Sequence, residues 1–302
     1  MCPYAMFNNT GMLCTAFTTS GPRAVNEDYY MFSVLKEKKD WAICLSGTDE
    51  NILYASKIEI ESHKYIPEVP PLIVLAVADG LGGQAGGKIA SEVGCKTAVR
   101  SCILSITDSL ARKYDGTGTE TGSDKDNEKD IFVSSIENAF SAADSKVRAK
   151  GPAGCATTLV LAVIYGNRLY IAHVGDSRGY VLSDKDSPDG IKNLIYTTKD
   201  HTFVQQLVDA GALEPEEALT HPRRNMLLRA VGGEKGVPEI KKIDDEWDSV
   251  ILCSDGVVGG LDKDGIFELT MMDESEIPAE VKKMAYKAGD NATLIRLKKL
   301  KM

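Results

Sequence analysis

Residues 72–91 read LIVLAVADGLGGQAGGKIAS, and the fold is decided there. Leu72 to Ala78 is an unbroken apolar run, the pattern of a strand buried on both faces, and Asp79 stands at its carboxyl end. The glycines that follow allow a tight turn, and a helical pattern starts beyond them. Two nucleotide-binding readings are weakened by their own missing parts, and a nucleotide-binding protein built around Gly80 to Lys88 stays as a third alternative. Gly80-x-Gly82-x-x-Ala85 approximates a dinucleotide fingerprint, but the position about 20 residues on, near Arg100, lies in a helical pattern and ends no second strand. Gly82-x-x-x-x-Gly87-Lys88 approximates a phosphate-binding loop, but Ile89 stands where Ser or Thr should reach magnesium. A plain strand-to-helix turn accounts for the glycines and leaves Asp79 unexplained.

Outward from this stretch the arrangement repeats. SVILCSDGVVGG (249–260) again puts an Asp-Gly pair, Asp255-Gly256, at the end of a buried strand, and Gly289-Asp290-Asn291 precedes the last strand-like run. Glu27-Asp28 comes just before Tyr29-Tyr30, and Asp176 lies in the turn His173-Val-Gly-Asp-Ser-Arg178. Any one Asp at a strand end is ordinary turn chemistry. Gathered together, carboxylates repel and raise one another's pKa, so their meeting makes sense around cations, and hard ions such as Mg²⁺ or Mn²⁺ suit an all-oxygen site.

Further strand-like runs are Met12–Thr18, Tyr29–Val34, Trp41–Leu45, Lys57–Glu61, Thr157–Ile164, Arg168–His173, Gly179–Leu182, Leu194–Thr197 and Ala292–Leu297. Val99, Ile103, Ile106 and Leu110 share one helix face; Ile136, Phe140, Ala143 and Val147 share another. Helix is also expected over Thr202–Ala210 and within Lys263–Ala288. Strands in runs and helices in blocks predict α+β layers. The expectation is one domain over residues 1–302 with two insertions, 36–71 and 115–130. The first reads as an extra hairpin on a sheet edge; the second, DGTGTETGSDKDNEKD, has no apolar residue to bury.

Composition narrows the function classes. Of 302 residues, 43% are hydrophobic and 26% charged, as in ordinary globular proteins. Asp and Glu outnumber Lys and Arg by 44 to 35, a net charge of −9, so nucleic acid and anionic membrane are poor partners. The seven cysteines are scattered and form no C-x-x-C, and no apolar run approaches bilayer length. A cytoplasmic protein is expected. The four histidines are too far apart in sequence for a local metal motif.

Taken in order, Arg23-x-x-x-Glu27-Asp28, Asp79-Gly80-x-Gly82-Gly83, Gly154-Cys155-Ala156-Thr157-Thr158, Gly175-Asp176-Ser177-Arg178, Asp200-His201, His221-Pro222-Arg223-Arg224-Asn225, Ser254-Asp255-Gly256 and Asp290-Asn291-x-Thr293 resemble the metal-dependent protein serine/threonine phosphatases of type 2C, in their compact bacterial form. The resemblance covers nearly the whole chain. It implies a four-layer α-β-β-α sandwich, two antiparallel sheets flanked by helix pairs, with the site at one end. It further implies two Mn²⁺ or Mg²⁺ ions bridged by Asp79, with the Gly80 carbonyl on one and Asp255 and Asp290 on the other. Glu27 and Asp28 would act through water, and Arg23 would hold phosphate unless it merely pairs with Glu27. Asp176 either joins Asp255 at a weaker third ion or is a turn residue paired with Arg178. Thr202–Asn225 corresponds to a flap beside the site, and Leu81 stands where animal members carry a histidine. The implied reaction is hydrolysis of phosphoserine and phosphothreonine in proteins by a metal-activated water, by a monomer opposing a kinase. The alternative is a non-catalytic member that only binds phosphoprotein or a partner.

Overall fold

The computed structural model describes residues 4–7, 11–35, 41–49, 52–59, 70–114, 130–184, 193–233, 236–261 and 265–300. The first half of the chain forms β1 (Tyr4–Phe7), β2 (Met12–Thr19), β3 (Asp28–Leu35), β4 (Trp41–Asp49), β5 (Ile52–Glu59), β6 (Leu72–Leu81), α1 (Gly83–Tyr114) and α2 (Ile131–Lys150). Next come β7 (Ala156–Thr157), β8 (Leu159–Tyr165), β9 (Arg168–Val174), β10 (Arg178–Ser183), β11 (Asn193–Thr197), α3 (Phe203–Asp209) and α4 (Pro215–Ala218). The remainder forms β12 (Glu239–Ile243), β13 (Ser249–Cys253), α5 (Asp255–Val258), α6 (Gly265–Met271), α7 (Ile277–Ala288) and β14 (Ala292–Lys299). No helix among the described residues is long and apolar enough to cross a membrane.

The strands build two antiparallel sheets. One runs β1-β2-β14-β13-β10-β11; the other runs β12-β9-β8-β6-β3-β4-β5, with β7 added beside β6. Period-two alternation explains why β6 is apolar on both faces from Leu72 to Ala78. Leu72, Val74, Ala76 and Ala78 face α1 and α2, while Ile73, Leu75 and Val77 face the opposite sheet. A third apolar layer joins Phe17, Ile251 and Leu294 of the smaller sheet to Val257, Leu269, Val281 and Met284 of α5, α6 and α7. The result is the expected helix-sheet-sheet-helix stack.

The hairpin expected within 36–71 is β4–β5, which extends the larger sheet to its edge. Residues 36–40 and 60–69 of that segment, and 115–129 of the second expected insertion, lie outside the described residues. Asp130 is described and is the N-cap of α2: its side chain accepts the Phe132 backbone N–H at 2.9 Å and the Tyr170 hydroxyl at 2.5 Å. Two strands were not expected from the sequence, β1 and β12. Both are short edge strands, and β12 (EIKKI) is mostly charged, the composition that protects an open edge.

Candidate active site

The site lies where the layer between the sheets changes from apolar to polar. On β6 the inter-sheet positions run Ile73, Leu75, Val77 and then Asp79; on β3 they run Val34, Phe32, Tyr30 and then Asp28. β8 ends this layer with Thr158 after Val160, β13 with Ser254 after Leu252, β14 with Thr293 before Ile295, and β2 with Thr18 after Ala16. One parity rule thus carries a ring of carboxylates and hydroxyls to one end of the sandwich.

Hydrogen bonds lock this ring. Asp28 and Asp79 are paired across β3 and β6. Ser254 Oγ donates to Asp28 Oδ2 at 2.7 Å, and the Thr18 and Thr293 hydroxyls are 2.6 Å apart. The Asp79 backbone N–H donates to Thr158 Oγ1 at 2.9 Å, while Thr157 Oγ1 and Thr158 N donate to the Asp79 carbonyl, each at 2.8 Å. Asn291 binds the loop that carries Arg23 and Glu27: its Nδ2 donates to the Ser20 and Val25 carbonyls, each at 3.0 Å, and its Oδ1 accepts Glu27 N–H at 2.9 Å. Gly80 and Gly87 approach so closely that a Cβ on Gly80 would overlap the Gly87 carbonyl, and one on Gly256 would overlap the Asn291 carbonyl. Those contacts seat α1 against the Asp79 turn and bring the Asp255 and Asp290 turns together.

The structure therefore gathers Glu27, Asp28, Asp79, Gly80, Asp176, Asp255 and Asp290. Electrostatics reports their crowding. Burial pushes Asp79 well above the carboxylate range, and the charges of Asp28, Asp255, Asp176 and Asp290 push it further. Asp28 rises to about 7, chiefly by burial, with the Ser254 and Thr293 hydrogen bonds opposing. Asp176 rises to about 8 through burial and then Asp255. Asp255 rises by burial and Asp290, against a hydrogen bond from the Asp79 carboxyl. Glu27 rises by burial, opposed by Arg23.

Arg23 does not pair with Glu27 by hydrogen bond; its Nη2 meets Asp290 Oδ2 at 2.6 Å and its Nε donates to the Gly289 carbonyl at 3.3 Å, with half of the side chain exposed. Arg178 takes Asp200, not Asp176, in a two-pronged contact at 2.7 and 2.8 Å. His221 and Arg224 form a turn, with the backbone N–H of Arg224 on the His221 carbonyl at 3.0 Å.

The oxygen set fits divalent cations. Glu27 Oε1 and Asp28 Oδ1 are buried and accept no hydrogen bond, so each has a lone pair free for an ion or its water. A second cluster, missed in the sequence because its members are far apart, joins His173, His201 and Glu239. It does not suit an ion as it stands. The two rings are stacked 4.4 Å apart and 14° from parallel, so their in-plane lone pairs do not converge, and His201 Nδ1 already accepts the Gly175 N–H at 3.2 Å.

Comparison with known proteins agrees with this geometry. The family model described as Protein phosphatase 2C matches residues 68–285. Serine/threonine protein phosphatase PstP of Mycobacterium tuberculosis is 33% identical over 231 residues, 74% of this chain and 39% of that protein. This chain thus spans about two fifths of the mycobacterial relative's length. Serine/threonine phosphatase stp of Listeria monocytogenes is 29% identical over 230 residues, 74% of this chain and 82% of that protein. The crystal structure of the PstP catalytic domain in complex with 2 manganese ions superimposes with a TM-score of 0.58 at 28% identity, covering 95% of this chain and 97% of that one.

Proposed function

Because this chain belongs to the protein phosphatase 2C family, we propose that it hydrolyses phosphoserine and phosphothreonine in proteins with Mn²⁺ or Mg²⁺ as cofactor. The observation that carries this reading is the buried ring of carboxyl groups, whose burial and mutual repulsion raise their pKa values and would be relieved by cations. Asp79, the Gly80 carbonyl, Asp255 and Asp290 would hold two ions, with Glu27 and Asp28 supporting their water and Asp176 joining Asp255 at a third. When bound, such ions neutralise the carboxylate charge and bring the pKa of water toward neutrality.

The protein's own groups supply the rest. Thr157 and Thr158 pin the Asp79 backbone from both sides, fixing where its carboxylate can reach. Half of the Arg23 side chain is exposed, and its planar fork matches two phosphate oxygens better than an ammonium would. The flap, residues 202–225, is rooted beside the Asp176 turn: His201 N donates to the Gly175 carbonyl at 2.9 Å and Leu228 N to the His201 carbonyl at 2.8 Å. A member that had given up turnover would be expected to have lost a central carboxylate; Asp79, Asp255 and Asp290 are all in place. We further propose a cytoplasmic monomer acting against the substrates of a Ser/Thr kinase. The cysteines at 14, 44, 95, 102, 155 and 253 are buried free thiols, in keeping with a reducing compartment.

The test is hydrolysis of a phosphothreonine peptide with Mn²⁺ titrated in and then chelated, beside Asp255→Ala. Turnover that follows the metal and is lost in the variant supports the proposal. Mn²⁺ binding without turnover supports the non-catalytic alternative.

A further inference from the structure

The two sheets bring their carboxylates to the site independently: Asp79 and Asp28 belong to one, while Asp255 follows β13 and Asp290 precedes β14 of the other. A two-ion centre needs them at a fixed separation, yet at this end the apolar packing between the sheets has given out. A serine hydroxyl reaches across the gap to one of these carboxylates. Ser254, fully buried, ends β13 on the inter-sheet side and meets Asp28 across the sandwich.

The direction of this bridge is set by its neighbours. The backbone N–H of Thr293 donates to Ser254 Oγ at 2.9 Å. The Ser254 hydroxyl proton is therefore directed to Asp28 Oδ2, 2.7 Å away, which accepts. That bond occupies Oδ2 and turns the carboxylate so that Oδ1, buried and without a hydrogen-bond partner, remains as its free oxygen. Ser254 is also covalently next to Asp255, and Asp28 is paired in register with Asp79. The Ser254 hydroxyl thus ties the Asp255 turn of one sheet to the Asp28–Asp79 pair of the other. The geometry points to Ser254 as a positioning residue for the divalent-cation centre: it orients Asp28 and sets the spacing of the carboxylates across the two sheets.

The inference rests on the proposed metal centre and concerns a residue that is not itself a ligand. Removal of a group that orients a ligand costs about 10- to 100-fold in metal affinity. We therefore expect Ser254→Ala to raise the Mn²⁺ dissociation constant by at least about tenfold, read from free Mn²⁺ by electron paramagnetic resonance without any substrate. Thermal unfolding in chelator checks that the variant is folded. In an Asp28→Ala background the hydroxyl has no carboxylate to hold, so the added Ser254→Ala should change the constant by less than about twofold. An unchanged constant in Ser254→Ala, or the same loss in both backgrounds, overturns the inference. Should Ser254→Ala fail to fold, Ser254→Cys keeps the shape with a much weaker donor. A severalfold weaker affinity then supports the assignment and wild-type affinity overturns it. If the wild-type protein binds no Mn²⁺ at all, the metal centre itself is refuted and this inference falls with it.

Discussion

Asp79 and Asp255 share a hydrogen bond between carboxyl groups in a site where each is pushed toward its protonated form. Asp79→Ala or Asp255→Ala should therefore leave the metal-free fold at least as stable as the wild type, measured by thermal unfolding in chelator, because repulsion is relieved. If the two residues hold the ions as proposed, the same changes should lower turnover by more than about 100-fold, the upper range for groups that only orient a ligand. Arg23 makes its ion pair half in solvent, where such a contact adds little to stability. Its replacement by Ala should leave the melting temperature almost unchanged and raise KM for phosphopeptide by about 10-fold or more, the scale of a lost charge-assisted hydrogen bond. An unaltered KM would show that Arg23 does not touch phosphate. The sequence identified both partners of that pair but not the pairing, since Arg23 and Asp290 are joined only when β2 and β14 of the smaller sheet pair.

The element that most constrains the site is the β6–α1 turn. Gly80 and Gly87 are in backbone contact, and a Cβ at Gly80 has no space. Gly80→Ala should cost about 1–3 kcal/mol in urea denaturation, the usual range for overpacking. It should also weaken Mn²⁺ binding, because the turn that presents Asp79 must move. The connection between α1 and α2 calls for a different outcome. Residues 115–129 contain no apolar side chain, so their deletion should leave hydrolysis of a small aryl phosphate intact. A deletion that also takes Asp130 removes the α2 cap and the Tyr170 contact, and should cost about 1 kcal/mol more. Strong central strands such as β6, β8 and β13 were legible because both faces are buried and the apolar run is continuous. The edge strand β12 was not, because a strand with one open side and charged residues carries almost no periodic signal.

For the molecule as a whole, the site is a pH-dependent load on the fold. Asp28 and Asp176, raised to about 7 and about 8, bind protons in the folded state that the unfolded chain has already released. Stability from these groups is complete below the ordinary carboxyl range and is lost as pH climbs through about 7 and 8. The chelator-treated protein should accordingly melt at a lower temperature at about pH 8.5 than at about pH 5, and Asp28→Asn should flatten that slope. Mn²⁺ should restore the melting temperature most at the high-pH end, where it binds carboxylates already ionised. A melting temperature that rises with pH in chelator would contradict the crowding of these groups. What the sequence by itself determined is local: which runs are buried on both faces, where each run ends in Asp or Glu, and the motifs that resemble one phosphatase family. Period-two alternation is written into consecutive residues, so the buried strands and the acidic residues at their ends could be read before any contact was known, while the ligand roles came from the resemblance. Only the tertiary structure decided which of those groups meet. Arg23 goes to Asp290 and Ser254 to Asp28 across strands far apart in the chain, while Arg178 goes to Asp200 and His173 to His201 over shorter spans. Such pairings depend on how two sheets stack and in what register, and no local pattern of residues encodes that.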